Sequence, residues 1–486
     1  MTTNRYVKAI SYNFLYFLLS SVVYLALTPL AIRVMGDELY GLWSILFAVA
    51  QFTSLGTLGI EPIVNKFAAE KADNPAQTNR ILSSALVIVL VMAVLLSLAV
   101  YFLRGVIARA INPSAAYLEQ LNAAIAVYAV VIFPLFLTRV FRGFLLSRIL
   151  NRFVRLLDTL YALLPLIGGV MIALYDRDLF LMALWNLVVV VGVFVAYLWK
   201  TASVIHLEWR PDRETMRSLL GFSGYMFLES SAITLFQKFD RILVAMLLGP
   251  AAAGVYTVAS GAGSRMSSLA GNISEVLIPY ASIKHAARQK ESLDRTVTRL
   301  SSYVSILNAV AGGLLIVWMK EILSLWISPT YAAANHIFFG IMIAAYGVLS
   351  LSRPAHQTLI GLGMVKVTST NYLLATGTML VGLYFFSRWF GLSGAAAANA
   401  LMVLLLFLNL YLYIWLDRGK SVKRLLTDLL IGLLPLAIAL LMVSLGLSWG
   451  YRAVFSLVLL VLSAWRLLSD RYLVSQVAHL LARGEE

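Results

Sequence analysis

The chain has 486 residues, 61% of them hydrophobic and 13% charged, with a net charge of +15 and a mean hydropathy of +0.86. That composition excludes an ordinary water-soluble globule. The absence of cysteine excludes disulfides, thiol catalysis and cysteine-ligated metals. No stretch is long or polar enough to form a separate soluble domain.

Apolar stretches of about 20 residues, each able to cross a bilayer core, recur from end to end. They predict an all-α integral membrane protein of about fourteen spans. In chain order these are roughly 11–35, 41–63, 81–103, 121–141, 154–175, 179–199, 218–248, 252–281, 301–326, 333–357, 367–387, 393–416, 427–447 and 451–468. The first span is too long for a signal-peptide core and lacks a small-residue cleavage site, so it is expected to be retained. Sorting Lys and Arg by alternate loops puts them on the side of the N-terminus by roughly four to one. Both termini are therefore expected in the cytoplasm. The basic surplus then belongs to topology and contact with anionic lipids, and nucleic-acid binding is not expected.

The fragment Gly36-Asp-Glu-Leu-Tyr-Gly41-Leu-Trp43 returns 213 positions later as Gly249-Pro-Ala-Ala-Ala-Gly254-Val-Tyr256. Tyr12 and Phe14 fall on Tyr225 and Phe227 at the same offset. With a few residues of drift, Leu82-Ser83-Ser84 falls on Leu300-Ser301-Ser302, and Arg139 and Arg142 fall on Arg353 and His356. Both copies begin on the same side, so the expectation is two parallel six-helix repeats with a C-terminal helix pair outside them. The implied division is 1–210, 211–420 and 421–486. The glycines bracket tight turns between spans, a structural use.

Charges inside spans are costly and usually face a wet cavity or a partner. The densest set is Lys238-Phe-Asp240-Arg241 in span seven, with Glu229 earlier in that span and Arg265 in span eight. Lys238, Arg241 and Arg265 are candidates to seat a phosphate or diphosphate, with Asp240 and Glu229 as charge partners. The alternative is a self-neutralising cluster that pins helices together. Arg139 and Arg142, with their echoes Arg353 and His356, have i, i+3 spacing and form candidate basic patches at a cytoplasmic mouth. The alternative for the first pair is the start of a positive loop. Glu61 and Glu275 occupy similar places in the two halves and are candidates for ion coupling, or else for salt bridges with Lys66 or Lys284. Trp43, Trp199, Trp318, Trp326, Trp389 and Trp449 fall at span ends, as interfacial belts require.

No phosphate-binding Gly-x4-Gly-Lys-Ser/Thr loop, metal-ligand spacing or nucleophile elbow occurs, so neither catalysis, a metal nor a cofactor is expected. The run from Leu30 to Glu70 resembles the polysaccharide-transporter family, the Wzx-type flippases, within the superfamily that also holds multidrug extruders and lipid II flippases. Gly36, Glu38, Tyr40, Gly41, Trp43, Leu58, Gly59 and Ile60 carry the likeness. Phe239-Asp240-Arg241 followed by Gly249 carries it into the second half, where Pro250-Ala-Ala-Ala departs from the family pattern. The resemblance implies a two-lobed bundle in a bacterial inner membrane that moves an undecaprenyl-diphosphate-linked oligosaccharide between leaflets. Its implied partners are that lipid-linked oligosaccharide, membrane lipids, a polysaccharide polymerase and chain-length proteins. Two other readings stay open: an ion-coupled drug extruder of the same fold, and a membrane-embedded polymerase or ligase of the lipid-linked glycan.

Overall fold

The computed structural model describes residues 3–53, 57, 59–71, 73–148, 150–220, 239–416 and 421–469. The described residues are almost wholly helical, and nine of their helical segments are long and apolar enough to cross a membrane. The helices are α1 (Thr3–Thr53), α2 (Ile60–Glu70), α3 (Pro75–Ile111), α4 (Ala115–Ser147), α5 (Asn151–Tyr175) and α6 (Leu179–Val204). After a helical stretch described over 213–220 come α7 (Asp240–Leu248), α8 (Pro250–Ser274), α9 (Leu277–Ala286), α10 (Lys290–Val317), α11 (Met319–Trp326) and α12 (Pro329–Leu351). The chain closes with α13 (Arg353–Gly361), α14 (Val365–Asn399), a 3-10 segment (Ala400–Leu406), α15 (Phe407–Leu416), α16 (Ser421–Ser444) and α17 (Trp449–Leu468). Two compact units result. One is Met1–Val258 with Leu383–Leu392, and the other is Ala259–Gly382 with Ser393–Glu486.

Local chemistry sets the helix ends. Asn74 accepts from Gln77 N at the start of α3, Pro75 takes the first helical position, and Asp178 accepts from Phe180 N and Leu181 N at the start of α6. Along the outer faces the side chains stay apolar. Leu95, Leu98, Phe102 and Val106 of α3 are exposed, as are Leu457, Val461 and Leu468 of α17. In water such surfaces would aggregate; facing lipid they are at home.

The structure corrects the simple picture of unbroken spans. Span two is interrupted at Gly59, whose φ of 68° precedes the first turn of α2. Span eight is split between Ser274 and Leu277. The two interruptions fall at similar places along the two repeats, one at a left-handed glycine and the other at a tightened turn where Ile278 N donates to Glu275 O at 3.2 Å. Composition alone hides such breaks, because hydropathy runs on through them.

The repeated glycine turns are real and alike. Gly36 has φ 76° and ψ 171°, and Gly249 has φ 88° and ψ 169°. Only glycine adopts that region without strain. Gly41 and Gly254 then allow the two copies to touch. A Cβ on Gly41 would stand 1.9 Å from the Pro250 carbonyl oxygen, and one on Gly254 would stand 2.7 Å from the Asp37 carbonyl oxygen. Pro250 is the counterpart of Asp37, and Gly254 of Gly41, so the contact is reciprocal, as a local two-fold relation requires. On that relation Ser44 Oγ meets Thr257 Oγ1 at 3.1 Å, 213 residues apart. Tyr12, Phe14, Tyr225 and Phe227 add nothing here, since their side chains lie outside the described residues.

The segment after α6 runs extended along α3. Asn79 Nδ2 donates to His206 O at 2.9 Å, Ser83 Oγ donates to Glu208 O at 3.0 Å, and Arg210 N donates back to Ser83 Oγ at 3.0 Å. Asp212 N donates to Ser84 Oγ, also at 3.0 Å. Three polar side chains on one face of α3 thus take the place of a sheet partner for this strand-like linker.

Candidate functional site

In the first unit, α2, α4 and α5 bring four charged side chains together. Glu61, in the first turn of α2, bonds Arg139 at 3.2 Å and also Arg142. Arg142 grips Asp158 of α5 with two bonds, Nε to Oδ1 at 3.0 Å and Nη2 to Oδ2 at 2.7 Å. Tyr197 Oη of α6 donates to Asp158 Oδ1 at 3.2 Å. The planar guanidinium matches the carboxylate fork, which fixes α4 against α5. Gly143 lets α2 approach, since a Cβ there would lie 2.5 Å from the Glu61 carbonyl oxygen. Beside the cluster lies a cavity of about 230 Å³ lined by Thr138, Arg139, Arg142, Asp158, Tyr161 and Tyr197 among others.

The second feature of this unit surrounds Arg241. Asp240, only 1% exposed, accepts from Arg241 N and from Tyr256 Oη, both at 2.8 Å. Those bonds anchor the start of α7 and turn Arg241 into a cavity of about 260 Å³. Tyr24, Tyr40, Trp43 and Phe47 of α1 supply its wall, and Pro165 and Leu166 of α5 complete it. Trp43 stands 5.8 Å from Tyr40 and 4.8 Å, edge to face, from Phe47. Trp43 is therefore not part of an interfacial belt. It is 9% exposed, because the Gly36 turn carries the start of the second span inward. Trp199, Trp389 and Trp449 are exposed, as a belt needs.

In the second unit, Arg353 opens α13 and donates to Ser267 Oγ of α8 from Nε at 3.3 Å and from Nη2 at 3.4 Å. Arg265, two residues before Ser267 on α8, donates from Nη1 to Gly261 O at 3.1 Å. His356 is buried, with its ring 4.9 Å from Tyr372. Glu275 sits exposed at the break between α8 and α9. It makes no ion pair among the described residues, unlike Glu61. Gly361 meets the Ile278 carbonyl as Gly143 meets that of Glu61, so Ile278 is the closer counterpart of Glu61 and Glu275 lies one turn earlier. Lys238 and Glu229 lie outside the described residues.

Two elements of these sites were not foreseen. Asp158 carries a sequence signal, as the one acid within α5. The aromatic wall has none, because α1 shows no clear apolar stripe and its inner face cannot be read from periodicity.

A family model described as polysaccharide biosynthesis protein matches residues 6–285, more than half of the chain. The chain belongs to that family. Solved structures agree on the fold. An inward-facing multidrug resistance MATE family transporter of the MOP superfamily aligns with a TM-score of 0.68 at 13% identity, covering 83% of this chain and 95% of its own. The lipid II flippase MurJ in an inward closed conformation aligns with a TM-score of 0.66 at 11% identity, covering 94% and 100%. A MOP superfamily transporter from Pyrococcus furiosus aligns with a TM-score of 0.56 at 13% identity, covering 89% and 96%. Comparison with curated proteins finds no match. This member of the polysaccharide biosynthesis family thus has the multi-pass fold of membrane transporters.

Proposed function

We propose that the protein is a flippase for an undecaprenyl-diphosphate-linked oligosaccharide repeat unit, moving it from the inner to the outer leaflet of a bacterial inner membrane. The two repeats, 1–210 and 211–420, would give alternating access, with 421–486 as an added helix pair and both termini in the cytoplasm. The observation that carries this reading is the Arg241 cavity, where one guanidinium faces an aromatic wall. Arginine suits a phosphate oxygen, and aromatic faces suit the apolar face of a sugar ring. At about 260 Å³ the cavity takes one part of such a substrate, not the whole. Lys238, Arg265 and Arg353 are assigned as further anion contacts. Arg139 and Arg142, held by Glu61 and Asp158, are assigned to gating instead. Glu61, which holds both arginines, and Glu275 are assigned as the candidate coupling groups.

Binding separates the two halves of the reading. Purified protein is titrated with polyprenyl diphosphate, with and without an attached oligosaccharide. Arg241→Ala is expected to weaken both ligands by about tenfold or more, as loss of a charge-assisted contact does. Trp43→Ala is expected to weaken only the glycan-bearing ligand. Equal binding by wild type and Arg241→Ala would rule out the assignment. Preference for cationic dyes would favour a drug extruder.

A further inference from the structure

The added helix pair encloses a second place for a ligand. Both α16 and α17 pack on α10, where Gly312 and Gly313 bring Leu436 and Leu459 close. Between them runs an apolar groove of about 350 Å³, floored by Ile306 and Ala309 and walled by Leu434, Ile438, Val458 and Leu462. One end of α17 is tied down by Arg452 to Glu321 at 3.0 Å and by Trp318 Nε1 donating to Ser456 Oγ at 3.1 Å. At the other end, the groove shares Ile306 and Arg466 with a polar cavity of about 480 Å³. Four arginines, Arg295, Arg299, Arg424 and Arg466, line that cavity with one acid, Asp294, in the lining itself; behind it Glu291 pairs with Arg295 at 2.5 Å, and the buried Asp428 lies near Arg424 and Arg466. Asp294 is already committed to Arg424 at 2.6 Å. The hydroxyl of Thr298, also in the lining, is buried without a hydrogen-bond partner among the described residues.

A cationic, hydroxyl-lined chamber opening into an apolar groove is complementary to an amphiphile with an anionic head. The groove runs from Phe455 to Arg466, twelve residues of α17, whose eleven steps of ~1.5 Å make about 16 Å of helix. That is close to half of a bilayer core of ~30 Å, the depth of one leaflet. We propose that this site binds one anionic phospholipid, its phosphate at Arg299 and Arg466 and one acyl chain in the groove. The site does not rest on what the protein transports. The bound lipid would fasten the added pair to α10, filling a gap that the helices themselves leave.

The test is native mass spectrometry of the delipidated full chain titrated with phosphatidylglycerol, phosphatidylcholine or a polyprenyl phosphate, with inorganic phosphate as competitor. One phosphatidylglycerol is expected to be retained at least about tenfold more tightly than phosphatidylcholine, given the contribution of each nearby basic residue. Arg299→Ala with Arg466→Ala should remove that preference. Leu434→Trp, which fills the groove and leaves the arginines, should also lose the lipid, and this second variant guards against misfolding of the first. Equal retention of the two phospholipids would overturn the proposal. So would preference for the polyprenyl phosphate, displacement by inorganic phosphate at matched concentration, or unchanged binding in both variants.

Discussion

Gly41 shows how a single missing Cβ positions the rest of the first unit. Its neighbour is a backbone carbonyl, which cannot swing aside as a side chain would. Gly41→Ala is therefore expected to destabilise the protein by roughly 1–3 kcal/mol, the usual cost of forcing a methyl into a packed contact. Gly105→Ala meets nothing within 4 Å and is expected to be neutral or slightly stabilising. Thermal unfolding in detergent checks both, and equal behaviour of the two variants would contradict the close approach. Arg142 poses the opposite case, a charge whose removal strands Glu61 and Asp158. Arg142→Ala should lower stability more than the triple variant that also carries Glu61→Gln and Asp158→Asn. The difference should be about 1–2 kcal/mol, below the figure for fully buried pairs because these groups are partly open to solvent. The glycines were legible from their repetition alone. Asp158 was legible only as a lone acid, since its partner lies on another helix 16 residues away.

At the scale of elements, the sequence announces the helices but not where they stop. Hydropathy does not see the breaks at Gly59 or at 275–276, because apolar residues flank both. The linker after α6 is a second case, where Leu82-Ser83-Ser84 reads as a repeat mark and the structure gives it work along α3. Asn79→Ala with Ser83→Ala should release residues 206–210 and raise their amide hydrogen exchange by about tenfold or more, given roughly 0.5–1.5 kcal/mol per lost bond. Unchanged exchange would mean that the linker is held by something else. Asp212, at the foot of this linker, is held below the usual carboxylate range by hydrogen bonds from the Thr215 hydroxyl and amide. A carboxylate with a depressed folded value stabilises above its unfolded value and loses that contribution as pH falls through the folded one. Helix 213–220 should therefore fray on acidification below the usual carboxylate range. Asp212→Ala should remove that pH dependence and leave the helix equally weak at neutral pH, as exchange measured at both pH values would report.

For the whole molecule, the two-fold echo was readable because equivalent turns demand glycine at equivalent places. The cavity was not, because its aromatic wall belongs to a helix with no clear apolar stripe to mark its inner face. Arg241 connects the two levels. It follows directly on Asp240, which is tied to Tyr256, the repeat counterpart of Trp43. The symmetric turn thus positions an asymmetric charge. Vesicles containing the protein and a fluorescent undecaprenyl-diphosphate oligosaccharide, probed by an outside-only quencher, test this account most directly. Wild type should equilibrate the label between leaflets, and Arg241→Ala should slow it by about tenfold or more while remaining folded. No translocation by wild type, or the same rate with Arg241→Ala, would contradict it.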